Sequence, residues 1–352
     1  MKRLTALLLL LIAAPPLRAE TGTTALSFLK MDFGARSAAM GGAYCASGDD
    51  ALAVFYNPAG TALVSRKEIL LGHNEWLEGI RNESVAYVQP LEDSSISIFG
   101  GVNALLSGSM DKYDTTGKAD GSFSSMEGAG SLGLAAGLGN GYYGGIAAKA
   151  LSQSADGASA MAWAGDAGLL KVSGRLRFGL SASNFGSSMK LGTTAFSLPL
   201  MLRGGVSAAI ANRIRVSADA VKAGETGVIG AFGAEAELPS NPHEAFYLRG
   251  GYRTGRSANA GPGFSAGLGL RSGDLRVDYA FVPYGDLGNA HRLTIAFSFG
   301  GRRPAPEEKL PYKMVQHRPG AAQTAPAAQQ KKKKKQAEKK DEKASRPAYF
   351  TW

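Results

Sequence analysis

Between Lys67 and Phe299 the dominant period of the chain is two: large apolar residues alternate with small or polar ones, the signature of strands exposed to different surroundings on their two faces. In 176–183, Leu176, Phe178, Leu180 and Ala182 fall on one face and Arg177, Gly179, Ser181 and Ser183 on the other. In 275–281, Leu275, Val277, Tyr279 and Phe281 stand opposite Arg276, Asp278 and Ala280. The pattern predicts fourteen strands, near 67–77, 82–89, 95–104, 127–137, 142–152, 158–172, 175–184, 199–210, 213–222, 227–237, 244–253, 263–272, 274–282 and 291–299. Taken in order, the connections alternate short and long. Gly139-Asn140, Ser173-Gly174 and Ala211-Asn212 are tight turns, whereas Leu105 to Met126 and Phe185 to Leu198 are long and polar. A membrane imposes that asymmetry on a meander of strands. The fold class predicted is all-β, a transmembrane antiparallel up-and-down barrel whose last strand closes on an aromatic assembly signal, Phe297 and Phe299.

The chain opens Met1-Lys2-Arg3, runs apolar from Leu4 to Ala14, and breaks at Pro15-Pro16. The apolar core of about 11 residues is too short for a spanning helix, which needs roughly 20, and reads as a signal peptide over 1–19. Within the segment 20–66, the residues from Leu26 to Leu63 do not alternate. Arg36 to Met40 predicts a helical turn stopped by Gly41-Gly42, Asp49 or Asp50 a capped turn, and Asn57-Pro58-Ala59-Gly60 a turn into a short helix. An insert of this size fits a plug, or hatch, in the lumen of a barrel over 67–299.

Composition sharpens this picture in two places. The 47 glycines show no three-residue repeat, which excludes collagen. The formal charge of +10 belongs to the ends: from Gly301 onward there are fourteen Lys and Arg against five Asp and Glu, and Lys2, Arg3 and Arg18 account for three more positive charges, leaving the body near −2. The segment 300–352, with its run Lys331, Lys332, Lys333, Lys334 and Lys335, has too little apolar content for a core and is predicted to be a disordered tail on the periplasmic side. Its partner would be anionic, in the cell wall or periplasm; export argues against nucleic acid.

The residues from Phe28 to Met40, the Gly-Asp-Asp-Ala at 48–51 and the Phe-Tyr-Asn-Pro-Ala-Gly at 55–60 resemble the PorV/PorQ family of outer-membrane proteins, within the wider group related to the fatty-acid channel FadL. The resemblance implies a 14-stranded barrel with an N-terminal hatch in which Arg36, Asp49, Asp50, Asn57, Pro58, Ala59 and Gly60 take part. It also implies one of two partners at the external loops: exported proteins or subunits of a type IX-like secretion system, or, for a FadL-like transporter, a hydrophobic small molecule. A third reading is a structural protein tied to the wall by its lysine tail.

Alternation points Lys149, Asp166, Arg177, Arg203, Arg215, Asp219, Arg249, Arg276 and Asp278 into the lumen, because an Arg or Lys facing outer-membrane lipid at mid-depth would cost roughly 2–4 kcal/mol. The reading of these charges is a paired network holding barrel and hatch, with an ion or polar-solute path as its functional counterpart. No catalytic, cofactor or metal site is expected. His73, His243, His291 and His317 are scattered, Cys45 stands alone, and the Gly-x-Ser-x-Gly match at 263–267 lies inside a strand rather than at a nucleophile elbow.

Overall fold

The computed structural model describes residues 24–303, apart from positions 93, 225, 241–243 and 257–260. The signal peptide, His243, His317 and the lysine run at 331–335 lie outside the described residues.

Alternation becomes strand throughout the body. The wall consists of β1 (Lys67–Glu75), β2 (Arg81–Pro90), β3 (Ile96–Leu106), β6 (Ser125–Gly139), β7 (Tyr142–Ala155), β8 (Ala158–Ser173), β9 (Leu176–Gly186), β12 (Met201–Ala211), β13 (Ile214–Ala223), β14 (Val228–Leu238), β15 (Glu244–Arg253), β16 (Phe264–Ser272), β17 (Leu275–Pro283) and β18 (Asn289–Phe299). All neighbours are antiparallel, and β1 pairs with β18, from Lys67 opposite Phe299 to Glu75 opposite His291. The sheet is therefore a closed barrel of fourteen strands without a free edge. Two hairpins stand apart from the wall, β4 (Met110–Tyr113) with β5 (Ala119–Phe123), and β10 (Met189–Leu191) with β11 (Thr194–Phe196).

The predicted strands recur with ends displaced by a few residues. The largest change is at β7, which runs on to Ala155. Both long loops, by contrast, carry hairpins whose short, polar sequences do not predict them. The first turns at Asp114, whose carboxylate accepts from the backbone N–H of Thr116 and of Lys118. One loop-side connection is short: Asp156-Gly157 joins β7 to β8, with φ of 47° and 76°. Both residues sit in the left-handed region that a two-residue hairpin turn requires.

The two faces of the wall differ in kind. Leu132 is 74% exposed and Trp163 66%, with Ile146, Leu169 and Leu268 similarly turned outward. The inward positions are small or polar, among them Asn82, Ser84, Asn103, Ser131 and Ser207, all buried. Phe297 points outward and stacks on Phe299 with centroids 6.0 Å apart; Phe299 also stacks on Tyr87 of β2. The aromatics of the last strand thus seal the β18–β1–β2 seam.

Residues 24–66 pack against the inward face. A short helix, α1 (Ala35–Ala39), is followed by Gly41 and Gly42 at φ of 66° and 87°, which turn the chain out of it. The 3-10 turn Ala51–Phe55 is capped by Asp50, which accepts from Leu52 N–H, and Pro58–Leu63 by Asn57, which accepts from Ala59 N–H. Phe28, Phe33 and Phe55 form an edge-on aromatic chain within this inner segment.

Candidate functional site: the junction of inner segment and wall

Arg36 sits at the centre of the junction. Its Nε and Nη2 form a two-pronged pair with Glu235 of β14, at 2.8 and 2.9 Å, while Nη1 reaches Asp49 at 2.8 Å and Asp50 at 2.9 Å. From Asp49, Oδ2 meets Arg177 of β9 at 3.0 Å and Arg215 of β13 at 2.8 Å. From Asp50, Oδ2 meets Arg276 of β17 at 2.8 Å. Arg276 also contacts Glu68 of β1 at 3.6 Å and Asp278 at 3.1 Å, and Arg249 of β15 links Glu235 and Asp278, each at 2.7 Å. Five guanidinium groups thus meet five carboxylates. Burial alone would raise the Asp49 carboxyl, but Arg36, Arg177 and Arg215 outweigh it and hold it well below the usual carboxylate range.

A second cluster forms around Asp32. Its carboxylate pairs with Arg253 of β15, and its backbone carbonyl accepts from Arg292 of β18. Asp219 of β13 accepts from the backbone N–H groups of Tyr44 and Cys45, at 2.8 and 2.7 Å. Arg203 of β12 lies over the Tyr56 ring, 5.3 Å from its centroid. Lys149 of β7 pairs with Asp166 of β8 at 2.7 Å. The structure thus brings all nine alternation-assigned charges to the inward face, seven around the inner segment and Lys149–Asp166 as a wall pair.

The other motif residues dock by shape. Asn57 donates to the Cys45 and Leu169 carbonyls, at 2.9 and 3.1 Å. Pro58 and Ala59 lie so close to β7 and β8 that a Cβ on Gly145 would stand 2.5 Å from Pro58, and one on Gly168 2.0 Å from Asn57 Oδ1. Gly60 is closed in similarly by the Gly48 carbonyl, at 2.5 Å. Across the barrel, Gly251 of β15 would bring a Cβ within 2.1 Å of Gly41 N. The glycine-rich face of these strands is where backbone meets backbone.

Several participants escaped the sequence reading: Glu68, Glu235, Asp32, Arg253 and Arg292. Parity alone would have found Arg292, which shares its face with Ala290, Thr294 and Ala296. Glu235 stands directly opposite Arg249 in register, a relation that requires the β14–β15 pairing. Asp32 lies in a stretch without period and gave no such signal.

Outside, the wall carries an apolar recess of about 640 Å³ floored by Ala167, Ala182 and Gly204 and rimmed by Ile146, Leu169 and Leu180. It lies beside a register shift between β8 and β9, at Gly165/Ala167. No group of three or more His, Cys, Asp or Glu suited to a metal occurs among the described residues.

Comparison with known proteins gives three results. A family model described as an uncharacterised protein family, UPF0164, matches residues 17–142. No curated protein matches. Among solved structures, the chain is similar to the Ralstonia pickettii toluene transporter TbuX (TM-score 0.55, 14% identity, 76% of this chain and 98% of that one). It is also similar to the Pseudomonas putida toluene transporter TodX (0.53, 12%, 75% and 96%) and to a Pseudomonas aeruginosa FadL homologue (0.50, 11%, 77% and 100%). At such identities the likeness is one of fold, a FadL-type 14-stranded barrel.

Proposed function

We propose that this chain is a bacterial outer-membrane barrel of the PorV/PorQ type, closed by residues 20–66 as a hatch, which binds exported proteins at its loop side as part of a type IX-like secretion route. The outward belt of large apolar residues supports a place in lipid, since a closed barrel leaves no backbone group unpaired there. The observation that carries the reading is the ionic lattice around Arg36. It ties the inner segment to β1, β9, β13, β14 and β17, around about half of the wall. A segment pinned through so many buried pairs suits a permanent floor better than a gate. Above such a floor the loops at 107–124 and 187–200, stiffened by their hairpins, offer the recognition surface. No enzymatic step is part of the reading, and the lysine tail would reach an anionic partner in the periplasm.

The test is affinity purification from gently solubilised outer membranes. Exported proteins sharing a C-terminal domain should co-elute, and should be lost when either loop is replaced by a short turn. Recovery of lipids or hydrophobic compounds alone would sink the proposal. It would favour the second reading, a FadL-like transporter of hydrophobic molecules, for which the apolar recess beside the β8–β9 register shift speaks.

A further inference from the structure

The inner segment is anchored at opposite ends of the barrel. One end of the wall carries the tight turns at 139–140, 173–174 and 211–212, the other the long loops at 107–124 and 187–200. At the turn end the segment runs into β1, whose first residue, Lys67, stands opposite Phe299, the last of β18. Arg66 pairs there with Asp274, in the β16–β17 turn, at 2.5 Å, and the Ser65 carbonyl accepts from the Arg303 N–H at 2.7 Å. At the loop end, Thr24 forms a parallel bridge with Ser197, in the connection after β9, and the Ala25 N–H donates to the Ser197 carbonyl at 3.0 Å. Thr24 also lies against the β13–β14 connection, where a Cβ on Gly224 would stand 3.6 Å from its Cγ2. Ala25, Leu26, Phe28 and Leu29 are buried in one apolar cluster with Met189 and Leu198 of loop 187–200.

Fourteen strands bring the first and last residues of the wall to the same end, but residues 24–66 pass through the lumen from the loop end to the turn end. Four residues, Glu20 to Thr23, separate Thr24 from a cleavage point after Ala19. Fully extended, they reach about 14 Å, whereas the apolar band of an outer-membrane barrel is roughly 25 Å tall. A terminus at Glu20 is therefore unable to return to the turn end. We infer that removal of the signal peptide leaves the new amino terminus on the outer surface of the cell, beside loop 187–200, on the opposite side of the membrane from the chain that leaves β18. The amino group and that loop then belong to one external surface. The inference rests on the signal-peptide and outer-membrane readings above and is independent of what the loops bind.

The experiment labels single introduced cysteines on intact cells with a maleimide too large to pass the outer membrane. The natural Cys45 is buried and supplies little background. Thr23→Cys should label to the same extent before and after permeabilisation of the outer membrane, as should Lys190→Cys in loop 187–200. Asn212→Cys, in the β12–β13 turn, should label only after permeabilisation. If Thr23→Cys fails to assemble, the unaltered chain serves: an impermeant amine reagent on intact cells should tag the α-amino group of a peptide beginning near Glu20, read by mass spectrometry. If Lys190→Cys labels from outside and the amino terminus does not, or if the terminal peptide still begins at Met1, the inference is overturned while the outer-membrane reading stands. Failure of Lys190→Cys to label on intact cells would overturn both.

Discussion

The two ends of the inner segment meet the wall by different chemistry. At the α1 end, Arg36 and the Asp49-Asp50 pair engage charged side chains from β9, β13, β14 and β17. At the Asn57–Gly60 end, the contacts with β7 and β8 are neutral: amide to carbonyl, and backbone against Gly145 and Gly168. The first junction stores its specificity in charge, which solvent, acid and a single missing partner disturb. The second stores it in shape, which only bulk disturbs. A segment held both ways answers to two different kinds of perturbation.

Removing one buried charge should hurt most. Arg36→Leu strands Glu235, Asp49 and Asp50 beside fewer cations, and breaking buried pairs from one side costs about 3–5 kcal/mol. Urea unfolding in detergent should register that loss. The double variant Arg36→Leu/Glu235→Leu should cost clearly less than the sum of the two single changes, and strict additivity would mean that the pair does not couple. The neutral end should respond to bulk. Gly168→Val forces a side chain onto Asn57 and should cost about 1–3 kcal/mol, with no dependence on salt. Gly130→Val, on a strand position with open space around it, is the matched control and should be tolerated.

Acid separates the ends more gently. The Asp49 carboxyl is held below its ordinary range, so its contribution is complete above the unfolded-state value of roughly 4 and is lost only as pH falls through the lower folded-state value. Pepsin should therefore leave residues 36–50 uncut at pH 4 and cut them in stronger acid, while 57–63 stay protected throughout. Cutting at both places at pH 4 would refute the distinction.

How much of this was legible follows from the period of the chain. A strand's parity decides which face a residue takes, so Lys149, Arg177 or Asp278 could be turned inward without any partner being known. Strand order followed too, since each short turn joins neighbours. Partners were harder. Arg249 meets Glu235 because β14 and β15 pair in one register, and Arg36 meets it from 199 residues away in sequence. The glycines were read as composition; their reason, close approach of Pro58 and Gly41, exists only once the inner segment is docked. The loop hairpins stayed hidden because β4–β5 and β10–β11 are short, polar and without an apolar face to alternate.

The smallest expected signal is the most direct reporter of both ends. Cys45, the single cysteine, lies between them: Asn57 donates to its carbonyl, Asp219 accepts from its N–H, and its backbone abuts Gly179. Burial, helped by the neighbouring Asp219 charge, pushes its thiol up to about 12. At pH 8 the thiolate would be roughly one part in ten thousand, and the sulfur is covered besides, so maleimide labelling of the assembled barrel should be negligible over hours. Arg36→Leu should release that protection in a manner that grows with salt and acid, because the charges that remain are screened. Gly168→Val should release it to the same degree at any ionic strength. Two variants with identical salt responses would mean that the ends act as one unit, and rapid labelling of the unaltered chain would mean that the inner segment is not held in the barrel at all.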